Sequence, residues 1–144
     1  MSDDLELPAE THQAITAFCA EGDRLADLQR FEDALAQYGQ AWALVPEPQN
    51  DWEAATWIVA AIADACFLKG DRAAARDALD YVMTCTAALG NPFLHLRRGQ
   101  VLFDDGELDA AADELMRAYM GAGPDIFERE DERYLTFLRT RAIL

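Results

Sequence analysis

Serine and lysine are all but missing from this chain: Ser2 and Lys69 are the only examples in 144 residues. That scarcity removes most serine-nucleophile, Schiff-base and phosphate-loop chemistry, and neither a GxxxxGK run nor GxGxxG occurs. Cysteine is sparse and odd in number. Cys19, Cys66 and Cys85 show no CxxC spacing, so neither a disulfide framework nor a zinc site is expected, and all three read as small buried hydrophobes. His12 and His95 stand apart on different predicted helices, where a single histidine is usually surface or core. No catalytic residue, cofactor or metal is therefore assigned, and an enzyme is the least favoured reading. Alternating runs of Val, Ile and Thr are lacking, which disfavours a sheet. No segment approaches the ~18 uninterrupted apolar residues of a membrane span. The opening MSDDLELPAE has no basic and apolar leader pattern, so a cytoplasmic location is expected.

What is present is acid and alanine. With 27 acidic against 12 basic residues the net charge is -15. Phosphate contacts need Lys and Arg, so neither nucleic acid nor an anionic membrane is expected as a partner. The first 50 residues hold ten acids against Arg24 and Arg30. Such a surface suits a protein partner with a basic surface or segment, although scattered carboxylates also serve solubility. At 51% hydrophobic residues, the chain can bury a core and is read as one domain over residues 1–144.

The helical signal is strongest over Phe31 to Pro46, FEDALAQYGQAWALVP, which ends in a helix-breaking proline. Counted from Ile15 in a repeat of about 34 residues, Gly22 takes position 8, Phe31 position 17, Ala34 position 20, Tyr38 position 24, Ala41 position 27 and Pro46 position 32. This stretch resembles a tetratricopeptide repeat. The physical content is that Gly22 and Ala34 are small where two helices approach, while Phe31 and Tyr38 fill the space between them. A second register runs from Thr56 to Leu89, with Ala63 at position 8, Cys66 at 11, Gly70 at 15, Ala75 at 20, Leu79 at 24 and Val82 at 27. A third runs from Pro92 to Asp125, with Gly99 at position 8, Leu102 at 11, Gly106 at 15, Ala111 at 20, Leu115 at 24 and Ala118 at 27. The resemblance implies an all-α, antiparallel helix-hairpin solenoid of about three repeats, near residues 15–48, 56–89 and 92–125.

Punctuation supports the same division. Residues 1–7 read as an acidic arm, and Pro8 opens a helix running to about Leu28. Asp51 is the expected N-cap of a long helix from Trp52 to Lys69, with Gly70 and Asp71 turning the chain. Gly90 is expected to end a helix in the left-handed conformation before Pro92 starts the next. Residues 126–144 then offer Phe127, Tyr134, Leu135 and Leu138 for burial beside a charged face, as a helix capping the last repeat would.

In this family the inner, concave face is lined by first-helix positions 2, 5, 6, 9, 12 and 13. The resemblance thus nominates Asp23 and Asp27 in the first repeat, Trp57, Asp64 and Phe67 in the second, and Phe93, Arg97, Gln100, Phe103 and Asp104 in the third. The version that grips a partner's C-terminus uses Lys, Asn and Arg there, and this chain departs from it. Acids interleaved with rings suit a basic, partly apolar segment, while Phe67 and Phe103 can equally pack between helices. The acid-rich ending also resembles small bacterial repeat proteins encoded beside polymorphic toxins. Small size, acidity and that resemblance together favour an immunity protein which binds and neutralises a toxin; the alternative is a secretion chaperone or adaptor holding an effector segment.

Overall fold

The computed structural model describes residues 7–144, so the expected acidic arm lies, apart from Leu7, outside the described residues. The described residues form seven α-helices and no strand. The chain divides into two compact units, Met1–Ala87 and Ala88–Leu144.

The first unit holds two antiparallel hairpins, α1 (Ala9–Asp27) with α2 (Phe31–Ala43) and α3 (Glu53–Lys69) with α4 (Arg72–Val82), and α2 also packs on α3. Pro8 precedes α1 as expected, its carbonyl accepting from the His12 amide at 2.9 Å. Ile15, Ala41, Val45, Ala54 and Ile58 form one buried cluster, with Phe18, Trp42 and Trp52 packed against it. Leu25, Ala34, Tyr38 and Ala65 form another. The second unit holds α5 (Pro92–Asp104) paired with α6 (Leu108–Ala122), followed by the short α7 (Glu132–Arg139).

Two close approaches fix the repeat register. A Cβ placed on Gly22 would lie 2.4 Å from the Tyr38 ring, and one on Gly99 would lie 2.7 Å from the Leu115 side chain and 3.1 Å from its backbone nitrogen. Positions 8 and 24 thus meet in both hairpins, and their equivalents Ala63 and Leu79 are fully buried in the middle one. Position 20 is alanine throughout, as Ala34, Ala75 and Ala111, each with no exposed surface. Ala34→Leu is expected to overpack the first hairpin by about 1–3 kcal/mol. A thermal melt reads this directly; an unchanged midpoint would mean that the site has room and the register is wrong.

The hairpin turns share a feature that only two of them advertise. Gly70 (φ 92°) and Gly106 (φ 83°) are left-handed, and so is Gln29 (φ 60°), which holds the same place in the first repeat. After each, an amide reaches back to a helical carbonyl at 2.9 Å: Arg30 to Leu25, Asp71 to Cys66, and Glu107 to Leu102. This closes the last turn of the helix in the usual left-handed manner. Gln29 adopts the conformation despite a Cβ penalty of roughly 1–2 kcal/mol, because the hairpin requires it.

Three expectations are corrected. Asp51 does not cap α3: it ends a 3-10 turn, Gln49–Asp51, begun after Pro48, and Trp52 takes the cap position with no side-chain bond. Gly90 is not left-handed. α4 stops at Val82, Ala87 takes the positive φ (63°), and Ala88–Gly90 is a 3-10 turn leading to Asn91, whose side chain caps α5 through the Phe93 amide at 3.0 Å. The C-terminal cap is helical only over α7, because Pro124–Phe127 forms a 3-10 turn and Asp131 caps the helix through the Arg133 amide at 2.9 Å. Phe127, Tyr134 and Leu138 are buried as expected, and Leu135 is half-buried. Cys66 and Cys85 are buried, whereas Cys19 is only partly so. No helix among the described residues is long and apolar enough to cross a membrane.

Candidate partner-binding faces

On the first unit, Asp23 and Asp27 lie one turn apart on α1, and Trp57 and Asp64 lie two turns apart on α3, so each pair shares a helix face. The Tyr38 hydroxyl donates to Asp23 at 2.7 Å. Burial first, then that hydrogen bond and the charges of Asp23, Cys19 and Asp64 push the Tyr38 hydroxyl's pKa up. The same surroundings, burial and then Asp23, push the Cys19 thiol up to about 11, so it is held as a thiol. Trp57 is 40% exposed, with the His12 ring edge-on at 6.2 Å from across the hairpins. Asp27 is exposed, and Phe67 is half-buried. Neighbouring cations are held by other acids: Arg24 by Glu21, Arg30 by Asp33 and Lys69 by Glu32, each at 2.6 Å. Such exposed pairs add little stability.

The second unit treats its five candidates differently. Arg97 is buried, lies over the Phe93 ring at 5.0 Å, donates to Gln100 at 2.8 Å and pairs with Glu130. Gln100 has no exposed surface and donates to the same Glu130 oxygen at 2.8 Å. Asp104 accepts from the Tyr134 hydroxyl at 2.8 Å and from Arg133 at 3.0 Å. Phe103 packs against Tyr134 (5.6 Å) and Phe137 (4.8 Å). Burial and the bond to Asp104 raise the Tyr134 hydroxyl's pKa. Residues 130–137 of the chain itself therefore occupy the face that the repeat positions nominate. Glu130, Arg133 and Tyr134 were not read from sequence as members of this face; the available signal was the acid-and-arginine run ahead of Tyr134, which looks like an outer, solvated surface.

His95 is structural. Its Nδ1 lies 3.1 Å from Glu114, its Nε2 lies 2.7 Å from the Leu89 carbonyl, and Arg98 donates to the second Glu114 oxygen at 3.1 Å. The network ties the 3-10 turn before α5 to α6. Among the described residues there is no cluster of three His, Cys, Asp or Glu side chains able to hold a metal ion.

Antiparallel helix pairs, position 8 meeting position 24, and a terminal helix after the last pair together define the architecture. It superposes on the C-terminal TPR-containing domain of a Plasmodium falciparum protein described as FK506-binding, with a TM-score of 0.69 over 91% of this chain and 87% of that one. The chain has a tetratricopeptide-repeat fold. Sequence identity in that superposition is 14%, so the tetratricopeptide likeness is one of fold. No family model matches the chain, and no curated protein matches it in sequence.

Proposed function

We propose that this tetratricopeptide fold serves as a non-catalytic protein-binding scaffold, and that its acidic inner face on α1 and α3 receives a cationic protein. The observation that carries the reading is the exposure of Asp27 and Trp57 on helix faces shared with Asp23 on α1 and Asp64 on α3. Carboxylates steer association and a partly exposed ring supplies contact energy. The shared register of the three hairpins supports treating both units as parts of one repeat domain. Within this reading, an immunity protein that neutralises a folded toxin is the specific function put forward, on the strength of small size, net charge and the character of the ending.

Asp104 is already held by Arg133 and Tyr134, so the charge test belongs on the first unit. The triple variant Asp23→Asn, Asp27→Asn, Asp64→Asn is expected to slow association and flatten its salt dependence, because exposed charges are screened over about 8 Å at physiological ionic strength. Trp57→Ala is expected to speed dissociation and cost roughly 2 kcal/mol if the ring is an anchor. The experiment co-expresses the chain with the products of adjacent genes, scores rescue of growth, and then measures binding kinetics at two salt concentrations. Binding without any rescue, to an extended segment of a harmless secreted protein, would sink the immunity reading. Unchanged kinetics in both variants would sink the face.

A further inference from the structure

The first unit also carries a cleft of about 470 Å³ between α2, α3 and α4. Its walls are Trp42, Val59, Ile62 and Tyr81, and its polar lining comes from Gln49 and Asp77. It is not part of the acidic inner face. Val59 lies two residues from Trp57, and Ile62 two residues from Asp64, which at about 100° per residue places them on opposite sides of α3.

Three observations describe what the cleft can accept. The Trp42 and Tyr81 rings stand at 87° with centroids 5.8 Å apart, and Tyr81 is 38% exposed, so aromatic surface is offered to an incoming group. The Gln49 side-chain N–H donates to the Trp42 carbonyl at 3.1 Å, which uses one of its two N–H donors and orients the amide group at the cleft. Asp77 is exposed at the cleft and has no hydrogen-bond or ion-pair partner among the described residues. No lining residue is basic. Aromatic rings beside an unpaired carboxylate match a cation carried on an apolar stem: the guanidinium stacks on or edges a ring and donates to the acid, while its methylenes lie on Val59 and Ile62. The volume exceeds what one such side chain fills, leaving room for an adjacent apolar residue.

We propose that this cleft binds an arginine side chain, together with a neighbouring apolar residue, from an extended segment of a partner polypeptide. The site is independent of the acidic inner face and stands or falls separately from it.

The probe is an acetylated, amidated leucyl-arginine dipeptide titrated into the full chain and followed by two-dimensional ¹H–¹⁵N NMR. The expected result is a saturable shift of the Trp42 indole and Gln49 side-chain amide signals, with the Trp57 indole signal unmoved. Asp77→Asn should weaken binding roughly fivefold, as befits one partly screened charge pair, whereas Asp27→Asn, the same charge change on the other face, should leave it unaltered. Asp77 is exposed, so the variant is expected to fold; an unchanged spectrum away from the cleft verifies this. The proposal is overturned if no signal saturates at millimolar dipeptide, if Trp57 shifts in step with Trp42, or if Asp27→Asn weakens binding equally. A leucyl-citrulline dipeptide binding as well as the arginine form would eliminate the charge recognition. Agmatine binding as tightly as the dipeptide would assign the cleft to small amines rather than to a polypeptide.

Discussion

Removal of residues 126–144 is expected to abolish the cooperative unfolding of the second unit and to make the protein aggregate. Phe127, Tyr134 and Leu138 are each 5% exposed or less. At about 1.5–3 kcal/mol for each large side chain taken out of water, their loss amounts to roughly 5–9 kcal/mol, comparable with the whole stability of a small domain. The deletion also removes the Glu130 carboxylate to which Arg97 and Gln100 both donate, and uncovers the apolar surface around them. The first unit has its own buried clusters and should keep its thermal transition. Calorimetry with light scattering checks this: the truncated chain should show one transition where the full chain shows the contribution of both units. A soluble truncation with an unaltered melting profile would mean that the tail is an appendage.

Glu130→Ala isolates one part of that effect. The Arg97 side chain is 7% exposed, and it pairs with Glu130. Taking away one partner of a buried pair costs up to about 3–5 kcal/mol, because the remaining charge loses an acceptor where water has little access. Glu130→Gln retains an acceptor oxygen and should cost less. The double change Arg97→Met with Glu130→Leu should recover much of the loss, since apolar groups of similar volume often replace a buried pair without penalty. Chemical denaturation of these variants beside the parent, with Arg97→Met and Glu130→Leu made singly, closes the cycle. If Glu130→Ala unfolds at the parental midpoint, Arg97 has found water or another acceptor, and the pair contributes nothing.

The parts of the fold legible in sequence are those where side-chain size alone decides. Gly22 and Gly99 announce close helix approaches because nothing larger fits against Tyr38 and Leu115, and Gly70 and Gly106 announce left-handed turns. Gln29 and Ala87 were not legible. Their backbones are held at positive φ by the surrounding hairpins against local preference, so composition gives no sign of it. Asp51 has the right chemistry for a helix cap, but the 3-10 turn after Pro48 shifts the helix start past it.

The candidate faces divide in the same way. Repeat position tells which side of a helix Asp23, Asp27, Trp57 and Asp64 share, because that depends only on local periodicity. It cannot tell that Arg97, Gln100, Phe103 and Asp104 are covered, because the covering groups come from about thirty residues downstream, as the Arg97–Glu130 and Tyr134–Asp104 bonds record. A run such as EREDER looks solvated when read alone. Only the fold turns Glu130 inward and sets Arg133 against Asp104.

The placement of residues 130–137 on α5 has a thermodynamic consequence for any external ligand of that surface. A tethered segment competes at an effective concentration on the order of millimolar when its linker is short. If the segment itself binds with a micromolar dissociation constant, a free ligand would therefore bind roughly a thousandfold more weakly than the bare surface allows. The third hairpin carries its competitor within its own chain, and only a partner that also holds the displaced helix could escape that handicap.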